Sequence, residues 1–412
     1  MTRSSRATAE VNDFVRTSLP FDDATDFALA TRGFVAPVPD AVKTADARPV
    51  WDARRFDVVD GEAPDSVNPS LWRQERLNGV SGLFEVVDGI YQVRGLDLSN
   101  ISFIRGDTGW IVLDPLLRSQ RDTYRYLHDE TLRLANHGET MLEIAEQLEL
   151  PGPLARTWSS RGYYGSVNHN VKAIYQRYLG FFDGNPATLP PHPPVAAAER
   201  YVDYMGGADA ILSRARADHE AGDDRWVAEV VRHVVFANPD NREARELLAD
   251  ALTQLGYQAE SGPWRNFYLT GAKELREGVK ALPFVSTTSP DVLTAMPTDL
   301  LLDFVAVRLK HPDAAELTGT TLLELTDVDE RYMLELSNGV LHNRPIDASA
   351  LETADATITT TRARIVELLV SDAPAAAISE GEGISIQGDP SPLRRALDLL
   401  DDFTRWFNIV SP

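Results

Sequence analysis

The chain has 412 residues, 43% hydrophobic and 25% charged, with 62 Asp and Glu against 40 Lys and Arg. A net charge of −22 repels phosphate backbones and anionic lipid, which makes nucleic acid and membrane surfaces poor partners. The sequence has no cysteine, which excludes disulfides, thiolate metal sites and Cys nucleophiles, and its length provides for two or three domains.

Residues 1 to about 80 are rich in Pro and Asp and show little sustained periodicity. They predict an arm with one or two short helices, pinned to a larger body by Trp51, Phe56 and Trp72. The first residues lack the apolar core of a secretory signal, and no stretch approaches the ~18 apolar residues of a membrane span, so a cytoplasmic location is expected. Residues 82–116 read as three or four strands separated by Gly, Asn and Asp turns. Ile101, Phe103, Ile104 and the run Trp110 to Leu113 suggest a sheet buried on both faces.

At Asp114-Pro115-Leu116-Leu117-Arg118 this β pattern runs without a linker into a helical one. Leu127, Leu132, Leu134, Met141, Ile144, Ala145 and Leu148 recur at three- and four-residue steps, and helices are expected over 120–280. Within them, the helices flanking Asn238-Pro239-Asp240-Asn241 resemble one tetratricopeptide pair, too few for a solenoid and suited to self-association. Residues 290–412 predict a separate α/β unit. TDLLLDFVAVRL reads as an amphipathic helix, TLLELTD, RYMLELS and GVLHNRP as a meander of short strands, and a long helix should follow Asp389-Pro390.

No histidine lies within three residues of another, and no metal-binding, phosphate-binding, dinucleotide-binding or nucleophile-elbow motif occurs. One stretch is dense in chemistry. Residues 161–185 bring together Tyr163, Tyr164, His169, Asn170, Lys172, Tyr175, Gln176, Arg177 and Tyr178, with Gly162, Gly165, Gly180 and Gly184 around them. An imidazole beside tyrosines and an arginine can bind an anion and donate a proton. The same residues also fit a polar interface network in which His169 caps a helix or bonds a carbonyl.

The segments LFEVVDGIYQVRGLDLSNISFIRGDTGWIVLDPL, QRDTYRYLHDETLRLANHG, RGYYGSVNHNVKAIYQRYLGFFDGNPATL and FANPDNREARELLADALTQLGYQAESGPWRNFYLTGAKELREG resemble the type III, zinc-dependent alkyl sulfatases, which hydrolyse dodecyl sulfate and related esters. The resemblance implies an α+β multidomain chain. Residues 1–117 would be an arm and part of a metallo-β-lactamase-like domain, 118–285 an all-α dimerisation domain, and 286–412 a sterol-carrier-like domain that gathers an apolar alkyl tail. It implies a homodimer, His169 in SVNHN as the acid that protonates the leaving group, and Tyr164, Asn170 and Tyr175 as substrate contacts. In that family the strand matching GWIVLDPL leads into a T-H-x-H-x-D-H loop that helps to bind two zinc ions. Here Leu116 is followed almost at once by the dimerisation segment, so no zinc and no alkyl sulfate turnover are expected of this chain. It would then be an internally deleted enzyme, a non-catalytic carrier of apolar ligands, or the partner of an intact paralogue.

Overall fold

The structure is a computed structural model that describes residues 3–37, 41–43, 49–52, 59–95, 100–113, 118–281, 290–347, 353–369, 381, 383–403 and 406–412. The chain forms two compact units, Met1–Val279 with Asn408–Pro412, and Lys280–Phe407.

In the first unit, the N-terminal segment holds helices α1 (Arg6–Ser18), α2 (Thr25–Thr31) and α3 (Pro69–Asn78), one helix more than the sequence suggests. Asn68 caps α3 by accepting from the N–H groups of Ser70 and Leu71, with Pro69 in the first turn where its missing N–H costs nothing. The segment docks mainly through polar contacts. Gln254 accepts from the Ser5 N–H at 2.8 Å and the Thr8 hydroxyl at 2.7 Å, and donates to the Arg3 carbonyl at 2.8 Å. Arg73 is buried, with its guanidinium 4.0 Å from the Trp158 ring centre. Of the expected aromatic pins, Trp72 donates to the Gly61 carbonyl, whereas Phe56 and the Trp51 side chain lie outside the described residues.

Strands β1 (Phe34–Ala36), β4 (Gly82–Val87), β5 (Ile90–Arg94), β6 (Ile101–Arg105) and β7 (Trp110–Leu113) form one antiparallel sheet in the order β1-β4-β5-β6-β7. A separate hairpin pairs β2 (Ala41–Lys43) with β3 (Pro49–Asp52). The tight β4–β5 turn uses Gly89 at φ 75°, a conformation that side-chain-bearing residues rarely adopt. The expectation of a doubly buried sheet is corrected. Phe84 is fully buried, but Phe34, Val35, Val87, Ile101, Trp110 and Ile111 are exposed, the last two at 55% and 56%. Apolar strand runs imply covering layers on both faces, and these side chains have none among the described residues.

Helices α4 (Arg118–Ala135), α5 (Met141–Gln147), α6 (Gly152–Ala155), α7 (Val167–Leu179), α8 (Pro194–Tyr204), α9 (Ala208–Ala221), α10 (Asp224–Ala237), α11 (Arg242–Gln258) and α12 (Gly262–Glu277) complete the unit. The predicted apolar steps are its core. Leu127, Leu134, Ile144, Ala145 and Leu148 pack with Val171 and Tyr175 of α7, and a second cluster joins α9, α10, α11 and α12. The α10–α11 turn is stopped and restarted locally, with Asn241 capping α11 by accepting from the Ala244 N–H. Gly222 ends α9 at φ 86°, and a Cβ there would meet Ala7 of α1 at 2.1 Å. The last residues, Asn408–Pro412, return to this unit, where Ile409 and Val410 donate to Glu274.

The second unit is a five-stranded sheet, β10 (Val340–Pro345), β9 (Glu330–Ser337), β8 (Gly319–Leu325), β11 (Ala356–Thr360) and β12 (Ser385–Gly388) in that order, with β11 parallel to β8. Helices α13 (Pro290–Ala295), α14 (Thr298–Arg308), α15 (Arg362–Leu369) and α16 (Ser391–Asp398) accompany it. Leu301, Leu323, Leu325, Ile358 and Leu397 share one core. The Arg362 guanidinium ties α13 and α14 to α15 by donating to Thr298 and to the carbonyls of Leu293, Thr294 and Met296. Two expectations change. Helix α14 buries Leu301, Leu302 and Val305 but exposes Leu300 and Val307, so it is apolar on both sides. The final helix is only eight residues long, and the chain then bridges Leu400 to Leu309 as extended backbone. Among the described residues, no helix is long and apolar enough to cross a membrane.

Candidate functional site

The loop before α7 is stapled onto the first turn of α12. The Gly262 N–H donates to the Tyr163 carbonyl at 2.7 Å and the Ser261 hydroxyl to the Tyr164 carbonyl at 3.0 Å. Arg161 forms a fork with Glu260, which also accepts from Ser70 of α3 at 2.5 Å. The Tyr163 hydroxyl lies 3.2 Å from Ser70, and burial pushes it up to about 12. Two glycines permit the close fold. A Cβ at Gly162 would lie 2.6 Å from the Gly165 carbonyl, and one at Gly165 would lie 2.9 Å from the Asn170 side chain.

This loop delivers His169 to the start of α7 as an exposed residue. Ser166, and not His169, caps the helix, accepting from the His169 N–H at 3.1 Å. The His169 ring meets Trp264 of α12, whose indole Nε1–H donates to Nδ1 at 3.2 Å with the rings edge to face. Tyr164 stands 68% exposed beside this corner in sequence, and Asn170 lies against Gly165. Tyr175 is packed into the helical core with Leu127 and Val171. Tyr178 faces elsewhere, its hydroxyl 2.8 Å from Nε2 of His128. The dense stretch in the sequence is therefore spread around a helix. His169, Asn170 and Tyr164 stay near its first turn, while Tyr163, Tyr175 and Tyr178 take other partners. Trp264, 95 residues away, is the contact that the sequence does not reveal.

Among the described residues, the donors present do not assemble a two-zinc centre. All eight histidines are described, and among the described residues no three His, Asp or Glu side chains gather around one point. Several imidazoles have other partners: His128 with Asp129 and Tyr178, His219 with Asp224, and His311 with the Gly339 carbonyl. Between β7 and α4 the sequence offers only Asp114-Pro115-Leu116-Leu117, and these four residues lie outside the described ones.

The second unit contains an apolar cavity of about 60 Å³ lined by Leu302, Val305, Leu323, Leu341, Ile358 and Leu393, among others. Its two polar neighbours are already paired, Asn343 with Asp303 and Thr360 with the Gly383 carbonyl.

Residues 140–278 match the family model described as alkyl sulfatase dimerisation, and residues 286–412 match alkyl sulfatase C-terminal. A linear primary-alkylsulfatase of Pseudomonas sp. is 34% identical, the match covering 98% of this chain and 93% of that protein. The chain belongs to the alkyl sulfatase family. An alkyl/aryl-sulfatase of Saccharomyces cerevisiae is 44% identical over 74% of this chain and 46% of that protein. The solved structure of a stereoselective inverting sec-alkylsulfatase from Pseudomonas sp. superposes with a TM-score of 0.87 at 28% identity, covering 100% of this chain and 99% of that one. Hydrolysis of alkyl sulfates is thus the activity of this chain's family. The match to the Pseudomonas primary-alkylsulfatase runs over 626 positions, whereas this chain has 412 residues. At least 214 of those positions, the difference between the two, face no residue of this chain.

Proposed function

We propose that this chain is an alkyl sulfatase family member that does not hydrolyse sulfate esters by itself. In this reading the segment carrying the family's two-zinc centre is missing at the seam after Leu116. The chain would dimerise through residues 118–285, a tetratricopeptide-like helical domain, and take apolar or alkyl ligands in residues 286–412, a sterol-carrier-like domain. The observation that carries the proposal is the 626-position match of a 412-residue chain to a primary-alkylsulfatase. The exposed apolar side chains of the β1–β7 sheet support it, because a sheet deprived of its neighbouring layers presents such a surface.

Zinc in this family would activate water and stabilise charge on the ester oxygens. None of the His169 neighbourhood can supply a nucleophile in its place. His169, with Tyr164 and Asn170, would hold a sulfate oxygen at the positive end of α7, where helix dipole and N–H donors favour an anion. Tyr175 would act by fixing α7 in the core. General-acid assistance is worth ~100- to 10,000-fold in a complete site, and it has no bond cleavage to assist here.

The cavity in the second unit supports tail binding in a limited way. An apolar cavity of about 150 Å³ is enough for benzene. At about 60 Å³ this one takes a dodecyl tail only after its lining side chains separate. The test is to load purified chain with zinc, measure metal by mass, and follow both binding and turnover of dodecyl sulfate below its micelle concentration. Binding without sulfate release, and without stoichiometric zinc, is expected. Release of sulfate at one or two zinc ions per chain overturns the proposal.

A further inference from the structure

We infer that Trp264 is a positioning residue that sets the tautomer of His169, so that the imidazole presents Nε2–H outward as a hydrogen-bond donor to an anionic oxygen. This rests on the reading of His169 as the sulfate-facing residue, but its test is independent of it. An indole N–H can donate and cannot accept. With Trp264 Nε1 at 3.2 Å from Nδ1, that ring nitrogen must offer its lone pair, and in the neutral ring the proton sits on Nε2. Nε2 has no hydrogen-bond partner among the described residues, and the side chain is exposed, so this proton is available to a ligand.

The contact is built in from both sides. Ser261 caps α12 by accepting from the Trp264 N–H at 3.4 Å, and its hydroxyl donates to the Tyr164 carbonyl, so one residue fixes the helix turn and the loop before His169. Trp264 also packs edge to face against Tyr268 one turn further along α12. His169 is fixed in turn by the Ser166 cap. A partner on a histidine's inner nitrogen is the usual device for choosing which nitrogen faces the reaction. Here the device uses a donor, whereas a carbonyl or carboxylate would select the opposite tautomer.

The experiment uses full-length chain labelled with ¹⁵N-histidine, with two-bond ¹H–¹⁵N correlations recorded well above the ordinary histidine range and His169 assigned by loss of its signals in His169→Gln. The expected spectrum has His169 Nδ1 in the unprotonated range and Nε2 in the protonated range, with a smaller share of the other tautomer than exposed His192 shows. In Trp264→Phe, which keeps an aromatic ring and removes the donor, His169 should relax to the mixture of His192. Protonated Nδ1 in the unaltered chain overturns the inference, and so does a mixture matching His192 before any substitution. If Trp264→Phe fails to fold, the spectrum of the unaltered chain decides alone. Because no substrate is added, a failed tautomer test and a failed alkyl sulfate binding test are distinguishable.

Discussion

Two five-stranded sheets in this chain meet opposite fates. The β8–β12 sheet lies against helices and shares a core in which Leu323, Leu325, Leu334, Leu336 and Ile358 are all buried. The β1–β7 sheet buries Phe84 completely, while Phe34, Ile101, Trp110 and Ile111 remain open to solvent. Both are apolar in sequence, so hydrophobic content does not separate them. What differs among the described residues is cover: the second sheet has helices against it, and Phe34, Ile101, Trp110 and Ile111 of the first stand exposed. In the proposed reading, the 214 or more positions of the family match that face no residue of this chain would have supplied that cover.

The largest test of this contrast is a pair of truncations. Ile358→Ala removes a fully buried side chain and should cost about 2–5 kcal/mol. Ile111→Ala, at an exposed position, should stay within about 0.5 kcal/mol. Unfolding is read separately in each unit by hydrogen exchange, because a two-unit chain has no single midpoint. Equal costs would show that the first sheet is covered after all. Ile111→Lys should in addition reduce aggregation, since a charge near an open edge strand discourages intermolecular pairing.

A second test concerns what holds the first sheet's neighbour, the N-terminal segment, in place. Gln254→Ala removes the partner of Ser5, Thr8 and the Arg3 carbonyl, and should cost about 1–3 kcal/mol. Limited proteolysis should then release α1 while α10–α12 stay protected. If Gln254→Ala leaves the cleavage rate unchanged, the polar dock contributes little.

The smallest expected effect is a pH dependence within the helices. The bond between His219 and buried Asp224 holds the imidazole above the ordinary histidine range, against a lowering from burial, with Asp250 and Glu220 adding to the rise. The folded form therefore favours the proton. Its stabilising contribution is complete below about pH 6.5 and fades as pH rises through the raised value. His219→Gln should flatten the stability of the first unit between about pH 6 and 8. A variant curve with unchanged slope would assign that slope to other groups.

Much of this was legible in the residues. The strands β4 to β7 follow from alternation and turn residues, and the helical core from the three- and four-residue steps at Leu127, Leu134, Ile144 and Leu148. Strand β1 was not legible, because three residues of an arm become a strand only when an edge at Phe84 is there to receive them. Helix α14 looked amphipathic, yet it exposes Leu300 and Val307, and burial is decided by partners as well as by period. At the candidate site, closeness in sequence misled in a specific way. Successive helical residues turn by about 100°, so Tyr175 and Tyr178 leave the face that His169 occupies. Its decisive neighbour, Trp264, is a product of the 260–262 staple and has no local signal.

We propose that this chain lacks the family's zinc chemistry while its helical and C-terminal domains remain. The most direct measurement is sulfate release from dodecyl sulfate by purified, zinc-saturated chain, alongside an intact alkyl sulfatase. Release at the uncatalysed rate is expected, with no zinc retained after gel filtration. Release above that rate, with zinc retained at one or two ions per chain, would contradict the proposal.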